Sequence, residues 1–122
     1  MPERPYLWVE SVDLAANGRG TVMFAQDANE EFHVNRIWFE STGAFAIESI
    51  RDGTGQYYTN ASPDTPIPST MLDLPQTTNG GIGKMPIELT ILPAVALYID
   101  LVDTSGSANT VKVVLEGRKA PV

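Results

Sequence analysis

The sequence predicts an all-β protein, an antiparallel β-sandwich of jelly-roll-like form with about eight strands. Three observations carry that prediction. Alternating apolar runs recur at short intervals, glycine, proline, asparagine and aspartate separate them, and no segment reads as a long helix.

Taken in order, strands are expected near Leu7–Leu14, Thr21–Gln26, Phe32–Phe39, Ala44–Arg51, Gln56–Thr59, Met85–Ile91, Val95–Val102 and Thr110–Glu116, with a short extra one at Thr70–Leu74. The alternation slips within Phe32–Phe39, where Phe32 and Val34 are in one phase and Ile37 and Phe39 in the other. One extra residue near Asn35–Arg36, a β-bulge, reconciles them. Ala16–Gly20 and Asp52–Gly55 contain residues that tolerate positive φ and read as tight turns. In the last third, Leu97, Ile99 and Leu101 share one face, as do Val111, Val113 and Leu115. With the loop Asp103–Asn109 between them, the two runs predict a β-hairpin over Val95–Glu116.

The length of 122 residues fits a single domain, 1–122, with an N-terminal arm at 1–6 and a long irregular loop at 60–84 rich in proline and glycine. Such a loop is a natural place for a partner contact. There is no cysteine, which excludes a disulfide scaffold, thiolate metal sites and a cysteine nucleophile. Fifteen acidic residues against eight basic ones give a net charge of −7, which opposes binding to nucleic acid or an anionic membrane. Met1–Pro5 lacks an apolar signal core and the apolar stretch Ile91–Ile99 is short, so synthesis in a cytoplasm without a cleavable export signal is expected.

Candidate chemistry is sparse. His33 is the one histidine, and no Gly-x-Ser-x-Gly elbow accompanies it. It should point away from the face of Phe32 and Val34, as a structural or solvent-facing residue. Asp103-Thr104-Ser105-Gly106 departs from the Asp-Thr/Ser-Gly of aspartic proteases by one inserted residue and reads as a turn. Asp52 with its glycines, and Asp27–Glu31, offer oxygen atoms without the spacing of a calcium loop. No pair of carboxylates is singled out for glycoside hydrolysis. The aromatic residues Trp8, Trp38, Phe39, Phe45, Tyr57, Tyr58 and Tyr98 divide between core, an intersubunit contact and a sugar platform, with Phe39 and Phe45 expected in the core. The candidate interface comprises Trp8, Tyr57, Tyr58, Pro63, Pro66 and Pro68. No catalytic, cofactor-binding or metal site is expected.

From Phe32 onward the chain carries Phe32-x-Val34-x-Arg36-Ile37, Thr42-Gly43-Ala44-Phe45-x-Ile47 followed by Arg51-Asp52, then Pro86-Ile87-x-Leu89, Leu92-Pro93 and Leu101-x-Asp103-x-Ser105-Gly106-x-x-Asn109-x-Val111, ending in Gly117-Arg118-Lys119. In these strand and turn patterns it resembles the small β-sandwich or jelly-roll virion structural proteins of tailed bacteriophages, including capsid decoration proteins. The resemblance implies an accessory structural protein, a decoration (cement) protein that binds the outside of the assembled capsid and stabilises it. The implied partners are the major capsid protein and further copies of the chain itself, as a homo-oligomer with a trimer favoured. The implied location is the virion exterior, which the net charge also favours because packaged DNA would repel it. The alternative reading is a carbohydrate- or receptor-binding module of a phage tail or fibre, and an enzyme ranks last.

Overall fold

The computed structural model describes residues 3–71, 76–77 and 80–122, with the backbone alone at 76–77 and 80–84. The described strands are β1 (Arg4–Leu14), β2 (Arg19–Ala25), β3 (Glu30–Ser41), β4 (Phe45–Asp52), β5 (Ile67–Pro68), β6 (Gln76–Thr77), β7 (Gly80–Ile91), β8 (Ala96–Asp103) and β9 (Asn109–Pro121). They form two antiparallel sheets, ordered β1-β9-β3-β7-β6 and β2-β8-β4-β5. Paired strands nest: β1 with β9, β2 with β8, β3 with β7 and β4 with β5. This nesting describes one long antiparallel ribbon wrapped into two sheets, which is a jelly roll.

The strands form where the alternation places them. Leu97, Ile99 and Leu101 are fully buried on β8, and Val111, Val113 and Leu115 on β9. Aromatic rings join the layers. Trp8 on β1 meets Phe24 on β2 edge-on at 5.5 Å, and Phe39 on β3 meets Phe45 on β4 at 5.6 Å. Each fully buried Phe or Leu contributes about 1.5–3 kcal/mol relative to exposure, so this shared interior dominates the stability.

The expected bulge is present between Val34 and Arg36, and a second lies between Ile47 and Ser49. At the first, the β3 backbone comes so close to Gly117 that an added Cβ would stand 1.9 Å from the His33 carbonyl oxygen. Only glycine fits there.

The expected hairpin is not formed. β8 pairs with β2 and β4 whereas β9 pairs with β1 and β3, so the loop between them crosses from one sheet to the other. Alternation fixes which face is buried, not which strand lies alongside. The crossing is pinned by Asp103, whose carboxylate accepts from the amides of Asn17 (2.8 Å), Ser105 (3.1 Å) and Gly106 (3.0 Å) and from Asn109 Nδ2 (3.0 Å). Asn109 in turn donates to the Ala44 carbonyl at 2.9 Å and accepts from the Gly43 amide at 3.1 Å. Three loops at one end of the sandwich are thereby tied to two buried side chains.

Other expectations also change. No strand spans Gln56–Thr59; Tyr57 makes a single bridge to Arg51, because Asp52 captures the local amides. Thr70 and Met71 belong to the 3-10 turn Ser69–Met71, whose Ser69 hydroxyl accepts from the Phe45 amide at 3.2 Å, and the remainder of Thr70–Leu74 lies outside the described residues. The 60–84 span contains β5, that turn and β6, and β7 already begins at Gly80. Arg4–Tyr6, within the expected arm, pair with Gly117–Lys119. At the C-terminal end Arg118 and Lys119 are held between β1 and β3, and Ala120 and Pro121 pair with β3. Lys119 explains this: its side chain is 8 % exposed, with the ammonium 4.3 Å from the Tyr6 ring centre, 4.7 Å from that of Trp8 and 3.8 Å from Glu30.

Candidate interaction surfaces

Two surfaces stand out, one on each sheet. The first is the β4–β5 margin of the four-stranded sheet, where the chain leaves β4 and returns along it. Asp52 organises the turn by accepting from the Thr54 hydroxyl (2.5 Å), the Thr54 and Gln56 amides (2.9 and 3.2 Å) and the Tyr58 hydroxyl (2.8 Å). Burial alone would raise the Asp52 pKa, but these hydrogen bonds outweigh it and hold the carboxyl below its usual range. Burial together with the bond to Asp52 pushes the Tyr58 phenol up to about 12. Beside this turn, Asp100 accepts from Arg51 (2.8 Å), Thr21 (2.6 Å) and Ser49, and Arg51 lies 4.7 Å over the Tyr98 ring. Burial acts to raise the Asp100 pKa and its donors lower it further than that, so it too stays ionised.

On this braced base Tyr57 is 62 % exposed and Met71 74 % exposed, with Pro63 and Pro68 also exposed. Pro68 pairs with Ala46 and Tyr57 with Arg51, so the exposed residues run along β4 from one end to the other. Proline and short hydrogen-bonded turns leave this segment little conformational freedom to lose on binding.

The second surface is the outward face of β1, β9 and β3. Val9, Val114 and Trp38 are directly opposed across the three strands and make an apolar row. Leu7 and Val9 are 64 % and 52 % exposed. One flank of the row carries Glu116 and Arg36, the other Lys112 and Glu40, each pair in register. Trp38 donates through Nε1 to Glu116 at 2.6 Å, and Lys112 lies 3.8 Å from Glu40. A shallow depression of about 380 Å³ opens between Leu7, Trp38, Val114 and these charges.

The six candidate interface residues do not converge. Tyr57, Tyr58, Pro63, Pro66 and Pro68 share the β4–β5 margin, although Tyr58 is half-buried against the core. Trp8 sits apart, on β1, packed between Phe24 and Phe32 with Nε1 donating to Glu10 at 3.2 Å. Sequence pattern alone does not bring Val9, Val114 and Trp38 together as a row. Its signal was Val114, an apolar residue in the polar phase of β9, but the neighbours become visible only with the strand order.

His33 points outward, as expected, opposite Thr90 on β7. Its Nδ1 is 3.0 Å from the Thr90 hydroxyl and its Nε2 is 3.1 Å from Glu31 and 3.9 Å from Glu3. The chain of hydroxyl, imidazole and carboxylate lies on an open sheet face, with Thr90 directly opposed to His33 across the ladder and Glu31 two residues along the same strand, the ordinary same-face contacts of a sheet. Among the described residues no group of three or more His, Cys, Asp or Glu is arranged to hold a metal ion. The Asp27 carboxylate accepts from the Asn29 amide at 2.9 Å, an Asx turn of its own chain.

No family model matches the chain, and no curated protein sequence does. Among solved structures it is similar to a chain of the infectious bursal disease virus Gt strain structure, at 10 % identity and a TM-score of 0.34. That alignment covers 96 % of this chain and 35 % of the other, so the chain spans about a third of that protein's length. The jelly-roll assignment rests on the strand order itself.

Proposed function

We propose that the chain is an accessory structural protein of a virus particle, and specifically a decoration protein that binds the outside of a tailed-bacteriophage capsid and reinforces it. The observation that carries this reading is the β4–β5 margin, where exposed Tyr57 is presented on a turn fastened by Asp52 and exposed Pro63, Pro68 and Met71 follow on the return through β5 and the 3-10 turn after it. Aromatic and methionine side chains on a rigid base are the usual anchors of protein contacts. Contact, rather than chemistry, is the function such a surface supports. The net charge of −7 favours the outer wall over the DNA-filled interior. In a symmetric particle each modest contact recurs, so the protein needs little affinity per copy.

Capsids lacking the protein provide the test. Adding it should give stoichiometric cosedimentation and a higher disruption temperature, and electron microscopy should place new density on the outer surface. The double variant Tyr57→Ala, Met71→Ala should stay folded and lose binding at least about tenfold, as expected for two anchor side chains. Density inside the shell or on the tail, or unchanged binding by the variant, would overturn this reading. Glycan-array binding in the absence of capsid binding would replace it with the receptor-binding module.

A further inference from the structure

We propose that the outward face of β1, β9 and β3 is a two-fold contact with a second copy of this chain. The inference stands on that face alone and does not depend on the capsid reading.

The argument is one of self-complementarity. A two-fold contact must be complementary to itself, with each residue facing what its own counterpart faces. On this face the apolar row Val9–Val114–Trp38 is flanked on one side by Glu116 and Arg36 and on the other by Lys112 and Glu40. Two such faces can be stacked about a two-fold axis running along the apolar row. Val9, Val114 and Trp38 then meet their counterparts, Glu116 faces Lys112 of the second copy, and Arg36 faces Glu40 of the second copy. Strands β9 and β3 each carry charges of opposite sign two residues either side of the axis, so every charged contact between these strands is attractive and occurs twice, while on β1 Leu7 faces Ser11 of the second copy. The other in-plane axis, along the strands, would place Glu116 on Glu116 and Lys112 on Lys112. Charge therefore selects a single arrangement.

Size points to a second copy in reversible exchange. Three strands at a spacing of about 4.8 Å and eleven residues at about 3.4 Å give a face of roughly 500 Å² per copy, or about 1,000 Å² in all. That is the lower limit for a specific interface, the size class of weak and transient association. Exposed Leu7 and Val9 and the open depression beside Trp38 give the second copy apolar surface to cover. The contact is two-fold, in place of the three-fold association that the phage resemblance implies.

Sedimentation equilibrium of the whole chain should show a reversible monomer–dimer exchange at micromolar concentration. The pair Glu40→Lys, Lys112→Glu reverses the ion pair within each copy without removing it, yet turns every charged contact between copies repulsive. It should raise the dimer Kd by about 100-fold while circular dichroism stays unchanged. The pair Arg36→Glu, Glu116→Lys should do the same, and an equimolar mixture of the two variants, complementary to each other, should associate as the parent does. Val114→Lys, which disturbs no ion pair, provides an independent arm and should also give monomer. A parent that remains monomeric at hundreds of micromolar, a trimer, a charge-reversed variant that associates like the parent, or folded variants that do not associate when mixed would each overturn the proposal. Loss of capsid binding would leave it standing, because its readout is association between copies in solution.

Discussion

Replacing Gly117 by alanine should be among the most damaging single-methyl additions this fold can receive. The new Cβ would lie 1.9 Å from the His33 carbonyl oxygen, 2.8 Å from its carbon and 3.0 Å from Phe32 Cε1. The closest of these falls roughly 1 Å short of the 3.0 Å limit that real Cβ atoms respect. Backbone cannot swing aside as a side chain does, so β9 must move off β3 at the bulge where Val34 opposes Gly117. Overpacking costs about 1–3 kcal/mol, and two weakened ladder hydrogen bonds add about 1 kcal/mol each, for a total of about 3–5 kcal/mol. Against a stability of about 5–15 kcal/mol this is a large fraction. Urea unfolding followed by tryptophan fluorescence should show the midpoint falling by about 2 M, and the melting temperature should drop by about 12–20 °C. Gly106→Ala is the control, since Gly106 has φ +80 and no atom within 4 Å of its added Cβ. It should cost only the left-handed backbone term of about 1–2 kcal/mol. A Gly117→Ala protein as stable as the parent to within about 1 kcal/mol would refute the reasoning, because the bulge would then be pliable.

The acidic groups predict the response to acid. Burial raises the Asp103 pKa, but the donors Ser105, Asn17 and Asn109 more than offset it and hold the carboxyl well below the usual range. A depressed folded pKa stabilises above the unfolded value of about 3.9 and loses that contribution as pH falls through the folded one, so stability should decline progressively below about pH 4. Asp103→Ala should remove this part of the acid sensitivity and cost about 3–5 kcal/mol at neutral pH by orphaning several buried donors. An unchanged acid profile in that variant would contradict the assignment. At the alkaline end, Tyr58 should ionise only near pH 12. Its raised folded pKa contributes stability below the unfolded value of about 10 that disappears as pH climbs toward 12. Spectrophotometric titration of the parent and Tyr58→Phe should locate that step, and a variant that still shows it would reassign it to another tyrosine.

Much of the fold could be read in the sequence because a strand's period of two is a local property. The buried faces of β8 and β9 follow directly from Leu97, Ile99 and Leu101 and from Val111, Val113 and Leu115. The bulge beside Asn35 was visible as a phase slip, for the same reason. Partner choice is not local. In a nested ribbon β1 lies against β9, roughly a hundred residues away, and adjacent runs such as β8 and β9 separate into different sheets. The loop between them looked like a solvated turn because Asp and Asn suit turns, yet Asp103 and Asn109 are each 2 % exposed. Their polarity serves buried hydrogen bonds instead. Surfaces met the same limit. Residue type marked Trp8 as an interface candidate, but its ring closes the interior against Phe24. Val114 and Trp38 form a row only because β9 and β3 are neighbours.

The two proposed surfaces also fit one another geometrically. β1 stacks on β2, and β3 on β4, as the Trp8–Phe24 and Phe39–Phe45 contacts show. Passing from Val9 to Val114 to Trp38 therefore leads from the β1–β2 side of the sandwich toward the β4–β5 side. A two-fold axis along that row leaves this direction unchanged, so both copies turn their β4–β5 margins the same way. A dimer built on the outward sheet face would set two copies of Tyr57 and Met71 on one side, with the axis normal to whatever surface they meet. Two weak contacts held at a fixed spacing bind as one, with an effective concentration that can strengthen attachment by roughly 10²–10⁴. The advantage exists only where the partner surface repeats at that same spacing. Particle binding should therefore fall steeply in the charge-reversed variant Glu40→Lys, Lys112→Glu even though its β4–β5 margin is intact, and should recover when the complementary variant restores the dimer. Binding that is indifferent to dimerisation would mean that each margin engages the particle alone, and the two surfaces would then be independent.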